Sequence, residues 1–243
     1  MTMNHKKSVV LWAAGLLLAA GTASANVIFT ENFDSLANSV ALDSSTNWTR
    51  VTGASFTGNG SGGLKTPAGG GAITVVEPTT ISYTAGESFT MSYDIKLGNG
   101  NTDGLIFGYQ DTNNYYWLTI GKNASTTDAI VFAGKKGGNA FTVDNHTSAG
   151  LVWGDTYRLN LSYTASNTTF DVSVTDLTAS SSIYSTSKVD SRLTSGGFGL
   201  YVNYSSADIG DNYTVSVIPE PATAGLAGVA AIGVLLLRRL LKS

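Results

Sequence analysis

Five aromatic residues, Tyr109, Tyr115, Trp117, Tyr201 and Tyr204, are the side chains whose types and spacing best suit ligand chemistry in this 243-residue chain. Tyr115 and Trp117 stand two apart, the strand period, so one side of their strand is aromatic whichever face is buried. Aromatic rings stack on the C–H faces of sugars while Asn and Asp ligate hydroxyls, which makes the set a carbohydrate-binding candidate. Taken singly, each residue also fits core or cross-strand packing. A second set is Glu31 and Asp34 after the first apolar run, with Asp208, Asp211 and Asn212 before the last. If first and last strands lie side by side, these oxygens converge on a hard cation, and a structural Ca2+ is the expectation. The competing use is turn chemistry, with Asp and Asn bonding nearby backbone groups.

Catalytic constellations are harder to find. Glu31, Glu77 and Glu87 stand apart from one another between residues 26 and 217, where His146 is the single histidine. General acid–base work needs paired groups, and a lone histidine has no partner for a triad or a metal. His146, in Asp144-Asn145-His146-Thr147, reads as a solvated loop residue. Cysteine is absent, which removes thiol nucleophiles, zinc–thiolate sites and disulfide staples. Residues 26–217 carry nine Lys and Arg against sixteen Asp and Glu, a net −7 without basic clusters. Nucleic acid is therefore not an expected partner, because phosphates demand clustered cations.

The elements that must position these residues are strands. Phe89, Met91, Tyr93, Ile95 and Leu97 alternate with polar neighbours, and the pattern returns at Leu105-Phe107-Tyr109 and Tyr116-Leu118-Ile120. It recurs at Tyr157-Leu159-Leu161-Tyr163, Phe170-Val172-Val174, Phe198-Leu200-Val202-Tyr204 and Tyr213-Val215-Val217. Period-two alternation seals one face in a core and leaves the other wet, the mark of antiparallel sheets. Asp111-Thr112-Asn113-Asn114, Lys136-Gly137-Gly138-Asn139 and Ala165-Ser166-Asn167 supply turn residues between runs. The fold expected is an all-β antiparallel sandwich forming one domain over 26–217, with glycine-rich loops and short edge strands from Gly58 to Gly71.

Both ends read as addresses. His5-Lys6-Lys7, the apolar run SVVLWAAGLLLAAG and Thr22-Ala23-Ser24-Ala25 describe a secretory signal peptide over 1–25, cleaved after Ala25. Segment 218–243 holds Pro219-Glu220-Pro221, an uncharged Ala/Gly/Leu/Val run read as a single transmembrane helix, then Arg238-Arg239. This tripartite order resembles the PEP-CTERM sorting signal. The resemblance implies an exosortase-type membrane protease as partner, membrane anchoring before processing, and delivery to the surface or exopolysaccharide matrix of a Gram-negative bacterium. A plain single-pass anchor is the alternative.

FTENFDSL, GLIFGYQDTNNYYWLTIG, WGDTYRLNLSYTASNTTFDVSV and GGFGLYVNYSSADIGDNYTVSV together resemble the concanavalin A-like lectin/glucanase jelly roll, including its laminin-G-like members. Glucanases of that superfamily align catalytic carboxylates as E-x-D-x-E on one strand, and this chain has no such array; MSYDIKL offers Asp94 alone. The resemblance is informative for fold and weak for activity, and with no catalytic array the expected role is a non-catalytic structural or carbohydrate-binding module. The resemblance also implies a structural calcium where the chain ends meet. A polysaccharide-active hydrolase or lyase on the same fold, or a purely structural surface subunit, stands as the alternative.

Overall fold

Runs such as Phe89-Met91-Tyr93-Ile95 and Tyr157-Leu159-Leu161-Tyr163 bury every second side chain, and each forms one long strand. A computed structural model describes residues 26–67, 72–76, 81–98, 101–122, 128–203 and 208–218. The short early strands are β1 (Asn26–Glu31), β2 (Trp48–Thr52), β3 (Thr57–Gly58), β4 (Leu64–Lys65), β5 (Ala72–Val76) and β6 (Ser82–Tyr83). Long strands follow: β7 (Ser88–Lys96), β8 (Asn101–Asp111), β9 (Asn114–Lys122), β10 (Ala129–Lys136) and β11 (Asn139–Thr147). The chain continues through β12 (Thr156–Thr164), β13 (Thr169–Asp176), β14 (Ser181–Val189), β15 (Gly196–Asn203) and β16 (Ile209–Ile218). Among the described residues no helix is long and apolar enough to cross a membrane. The expected signal peptide (1–25), the Pro219-Glu220-Pro221 segment with its helix and Arg238-Arg239, and Tyr204 lie outside the described residues.

Two sheets result. Sheet A runs β14-β13-β12-β7-β16-β4-β3, with β1 also on β16; sheet B runs β11-β10-β9-β8-β15-β5-β2, with β6 on β15. The strands pair antiparallel within each sheet, as the alternation requires. Phe89, Phe107, Phe132, Phe170 and Phe198 meet between the layers, all at most 1% exposed, joined by Tyr116 and Tyr163. Burying each such ring contributes roughly 1.5–3 kcal/mol, and without disulfides this core must hold the fold.

The strands not anticipated are β2, β5, β6, β10, β11 and β14. The last two are edge strands whose side chains are mostly exposed, so no apolar alternation marks them. They are tied across the layers. Tyr184 Oη donates to Asp144 Oδ2 at 2.6 Å, Lys188 Nζ lies 3.1 Å from the same oxygen, and the His146 and Tyr184 rings sit 5.0 Å apart. His146 is thus a strand residue of β11 rather than a loop residue.

Candidate functional site

Strand β9 sends Tyr116, Leu118 and Ile120 into the core and Tyr115 and Trp117 to the outer face of sheet B. Cross-strand register then decides their neighbours. Trp117 faces Ile106 of β8 and Ala133 of β10, while Tyr115 faces Lys135. On β15, Phe198, Leu200 and Val202 point inward, and Tyr201 emerges on the outer face opposite Gly104. The Trp117 and Tyr201 rings, on opposite sides of β8, stack 5.7 Å apart at 19°. Gly104 leaves β8 without a side chain there; a Cβ would meet the Leu118 carbonyl oxygen at 2.0 Å.

Tyr109 joins the row through a bulge. By simple alternation it shares a face with Leu105 and Phe107, both in the core. Gly108 adopts φ +59°, and the register of β8 slips against both β9 and β15 at this point. The extra residue reverses the parity, so Phe107 stays inside and Tyr109 turns out. Gly196 (φ +143°) allows the close approach, since a Cβ there would lie 2.4 Å from the Gly108 carbonyl carbon.

The outer face of sheet B therefore carries four rings in sequence. Centroids are 6.3 Å apart for Tyr109–Tyr115, 5.5 Å for Tyr115–Trp117 and 5.7 Å for Trp117–Tyr201. Ile73, Ile106 and Val51 support them from the same face, and Lys135 Nζ lies 5.8 Å from the Tyr115 centroid. Tyr115 is buried, while Tyr109, Trp117 and Tyr201 are half-buried and offer ring surface to solvent. Burial pushes the Tyr115 hydroxyl up; burial, then Asp111 and Tyr115, does the same for Tyr109. Both phenols stay neutral and present O–H groups. This arrangement can stack on sugar rings and bond their hydroxyls.

The expected calcium ligands converge only in part: β1 lies on β16 and the charge of Asp34 reaches Asp211, while Asp208 points elsewhere. Asp211 pairs with Asp94 across β16 and β7 on the outer side of sheet A, and Asp208, three residues earlier, faces the interior at 1% exposure. Glu31 Oε1 accepts the Phe33 N–H at 3.0 Å, Asn32 Nδ2 donates to Asp34 Oδ2 at 2.6 Å, and Asn212 Nδ2 donates to Asp94 Oδ2 at 3.0 Å. These are the turn and cross-strand uses that compete with a metal. Among the described residues, no group of three or more acidic or histidine side chains gathers to hold a metal ion.

A different acidic pair was not anticipated. Asp103 of β8 is 0% exposed and enters the interlayer space from sheet B, where Asp208 enters from sheet A. Asp208 Oδ1 accepts the Gly98 N–H at 2.5 Å and Asp103 Oδ1 the Gly104 N–H at 2.7 Å. Asp103 Oδ2 and the Tyr93 hydroxyl are buried without partners. Burial, then the charge of Asp208, pushes the Asp103 carboxyl well above the usual range. Sequence gave no sign of this, because an aspartate at a strand end looks like a turn residue. Trp153, in the loop before β12, was also missed; it is 43% exposed, with Lys122 Nζ 5.7 Å from its ring.

Two further carboxylates, Asp94 and Glu87, are committed to structure. Asp94 takes two bonds from Arg158, at 2.7 and 2.8 Å, and Glu87 accepts from the Thr84 N–H and hydroxyl at 2.7 and 2.9 Å. Glu77 lies outside the described residues.

No family model and no curated protein matches the chain. Solved structures do. The carbohydrate-binding module CBM66 from Bacillus subtilis is 22% identical, over 70% of this chain and 95% of its own, with a TM-score of 0.53. Basic winged bean lectin, solved with Tn-antigen, is 9% identical over 79% and 99%, with a TM-score of 0.54. The GH43 protein BlXynB from Bacillus licheniformis is 12% identical over 79% of this chain but 39% of its own, with a TM-score of 0.52. The fold is an antiparallel two-sheet β-sandwich, consistent with the jelly roll of these structures. At these identities the likeness extends to fold and no further.

Proposed function

We propose that this protein is an exported, non-catalytic carbohydrate-binding module whose ligand lies along the aromatic row on sheet B. The observation that carries the reading is the half-buried, near-parallel Trp117–Tyr201 pair, continued by Tyr115 and Tyr109 on one face. A soluble core has no need of four rings on its outer side, and sugar rings are the ligands such surfaces suit. The neighbours CBM66 and winged bean lectin, by their names a carbohydrate-binding module and a lectin, support it. Glycan-array binding followed by titration calorimetry tests it: Trp117→Ala should weaken binding on sheet B about tenfold or more with the fold intact, and unchanged affinity would remove the proposal.

The same reading places the protein outside the cell. The signal peptide over 1–25 and the PEP-CTERM-like order of Pro219-Glu220-Pro221, apolar run and Arg238-Arg239 support export, exosortase-type processing and retention in a surface matrix. Intact mass of the native protein tests this; a product retaining Lys242 and Ser243 in the membrane would mean a plain anchor. The calcium ion implied by the fold resemblance suits Asp103 and Asp208 better than the set read from sequence. Asp103 offers a buried oxygen without a partner, and two carboxylates with a Tyr93 hydroxyl nearby are hard-oxygen donors. Bound there, it would neutralise buried charge and join the two sheets. The GH43 neighbour keeps a hydrolase as the second reading, which product release from a polysaccharide panel would revive.

A further inference from the structure

The outer face of sheet A carries a second polar surface that the aromatic row does not explain. One cross-strand row reads Ser216, Thr90, Ser162, Asp171, Ser187 from β16 to β14. The row beside it reads Thr214, Ser92, Asn160, Ser173, Ser185. Nine of these ten positions are uncharged, none is apolar, and none carries a long side chain. The one charge among them, Asp171, matches the 13% charged share of the whole chain. Short side chains here leave an open groove of about 450 Å3, lined by eight of the ten together with Met91, Leu161 and Val172. That volume lies within the range of small-ligand sites. The nearest cation along β12 is Arg158, already held by Asp94 at 2.7 and 2.8 Å, so neither row offers a cation to an anion, and Asp171 would repel one. Apolar ligands find no ring to contact. Hydroxyls, one amide and one carboxylate suit a neutral ligand that is itself dense in hydroxyls.

We propose that this groove is a second glycan site, for neutral polysaccharide, which makes the domain a two-faced cross-linker. The inference rests on the carbohydrate reading of sheet B. The two faces point away from each other across a shared core, so one sugar cannot reach both, and separate polymer chains are bridged instead. Calorimetry and viscometry with dextran, laminarin and galactomannan test this on the mature protein. Wild type should bind at two sites per chain and raise polymer viscosity. Trp117→Ala should keep one site and lose the viscosity effect. Ser92→Lys/Ser173→Lys, which fills the groove with side chains a solvated sheet tolerates, should lose the other site, weakening it about tenfold or more. Circular dichroism verifies that each variant is folded. If Trp117→Ala removes all binding and the lysine pair changes nothing, the groove is only a wet surface and the cross-linker falls while the sheet B site stands. If only the lysine pair acts, the sheet B reading falls. Absence of binding by wild type to all three polymers overturns both.

Discussion

The outer faces of the two sheets are built by the same alternation and carry opposite chemistry. Sheet B places Tyr109, Tyr115, Trp117 and Tyr201 in contact, seated on Ile73 and Ile106, whereas sheet A presents Ser, Thr and Asn in cross-strand rows with an Asp94–Arg158 pair alongside. Placing an aromatic row on a face with no second layer leaves apolar surface in water, a standing cost unless a partner covers it. The hydroxyl rows carry no such cost. On the proposed reading, glycan affinity should concentrate on sheet B's outer face, while sheet A's outer face depends on many weak bonds.

The sharpest way to break the contrast is to strip the stacked pair. Trp117→Ala/Tyr201→Ala should weaken glycan binding on sheet B about a hundredfold, if each ring is a hot spot of roughly 1.4 kcal/mol or more. Titration calorimetry measures the affinity, and a thermal midpoint close to wild type should accompany it because both rings are half-buried. Neighbouring residues on β9 sharpen the comparison. Tyr116→Phe deletes a hydroxyl that donates to Asp190 Oδ1 at 2.6 Å and accepts the Leu193 N–H at 3.2 Å, all within the interior. We expect a stability loss of about 1–3 kcal/mol by denaturant unfolding, with glycan affinity unchanged.

A third test concerns pH. The folded-state pKa of Asp103 is raised by burial and by Asp208, so its contribution favours the folded state at low pH and is lost as pH rises from the unfolded carboxyl value through the folded one. In chelator, Asp103→Asn should therefore gain midpoint temperature relative to wild type as pH rises above about 4. Added calcium should raise the wild-type midpoint and leave the variant's alone. The smallest effect belongs to sheet A's ion pair. Arg158 is 42% exposed, so Arg158→Gln should cost at most about 1 kcal/mol, and salt titration of the wild type should mimic part of it.

Much of the sandwich was legible because its long strands bury one face. The runs at Phe89–Leu97 and Tyr157–Tyr163 announce themselves by alternation, and the Lys136-Gly137-Gly138-Asn139 turn by its residues, with Gly137 and Gly138 both at positive φ. Strands β11 and β14 were not legible, since at a sheet edge backbone pairing holds them and their side chains stay wet. The aromatic set was legible as residue types, and Tyr115 with Trp117 as one face. That Tyr109 belongs with them was not, because a bulge at Gly108 overrides its parity.

What the sequence determined by itself, then, is whatever depends on near neighbours along the chain. It set an all-β character through period-two burial, the turns through Asp, Asn and Gly, and a core that works without disulfides. Tertiary structure alone decided which outer face each ring reached, that Trp117 stacks on Tyr201, and that Asp103 meets Asp208 rather than Asp208 meeting Asp34. Those outcomes depend on register between strands distant in sequence. One slipped residue in β8 is enough to turn a side chain from core to surface.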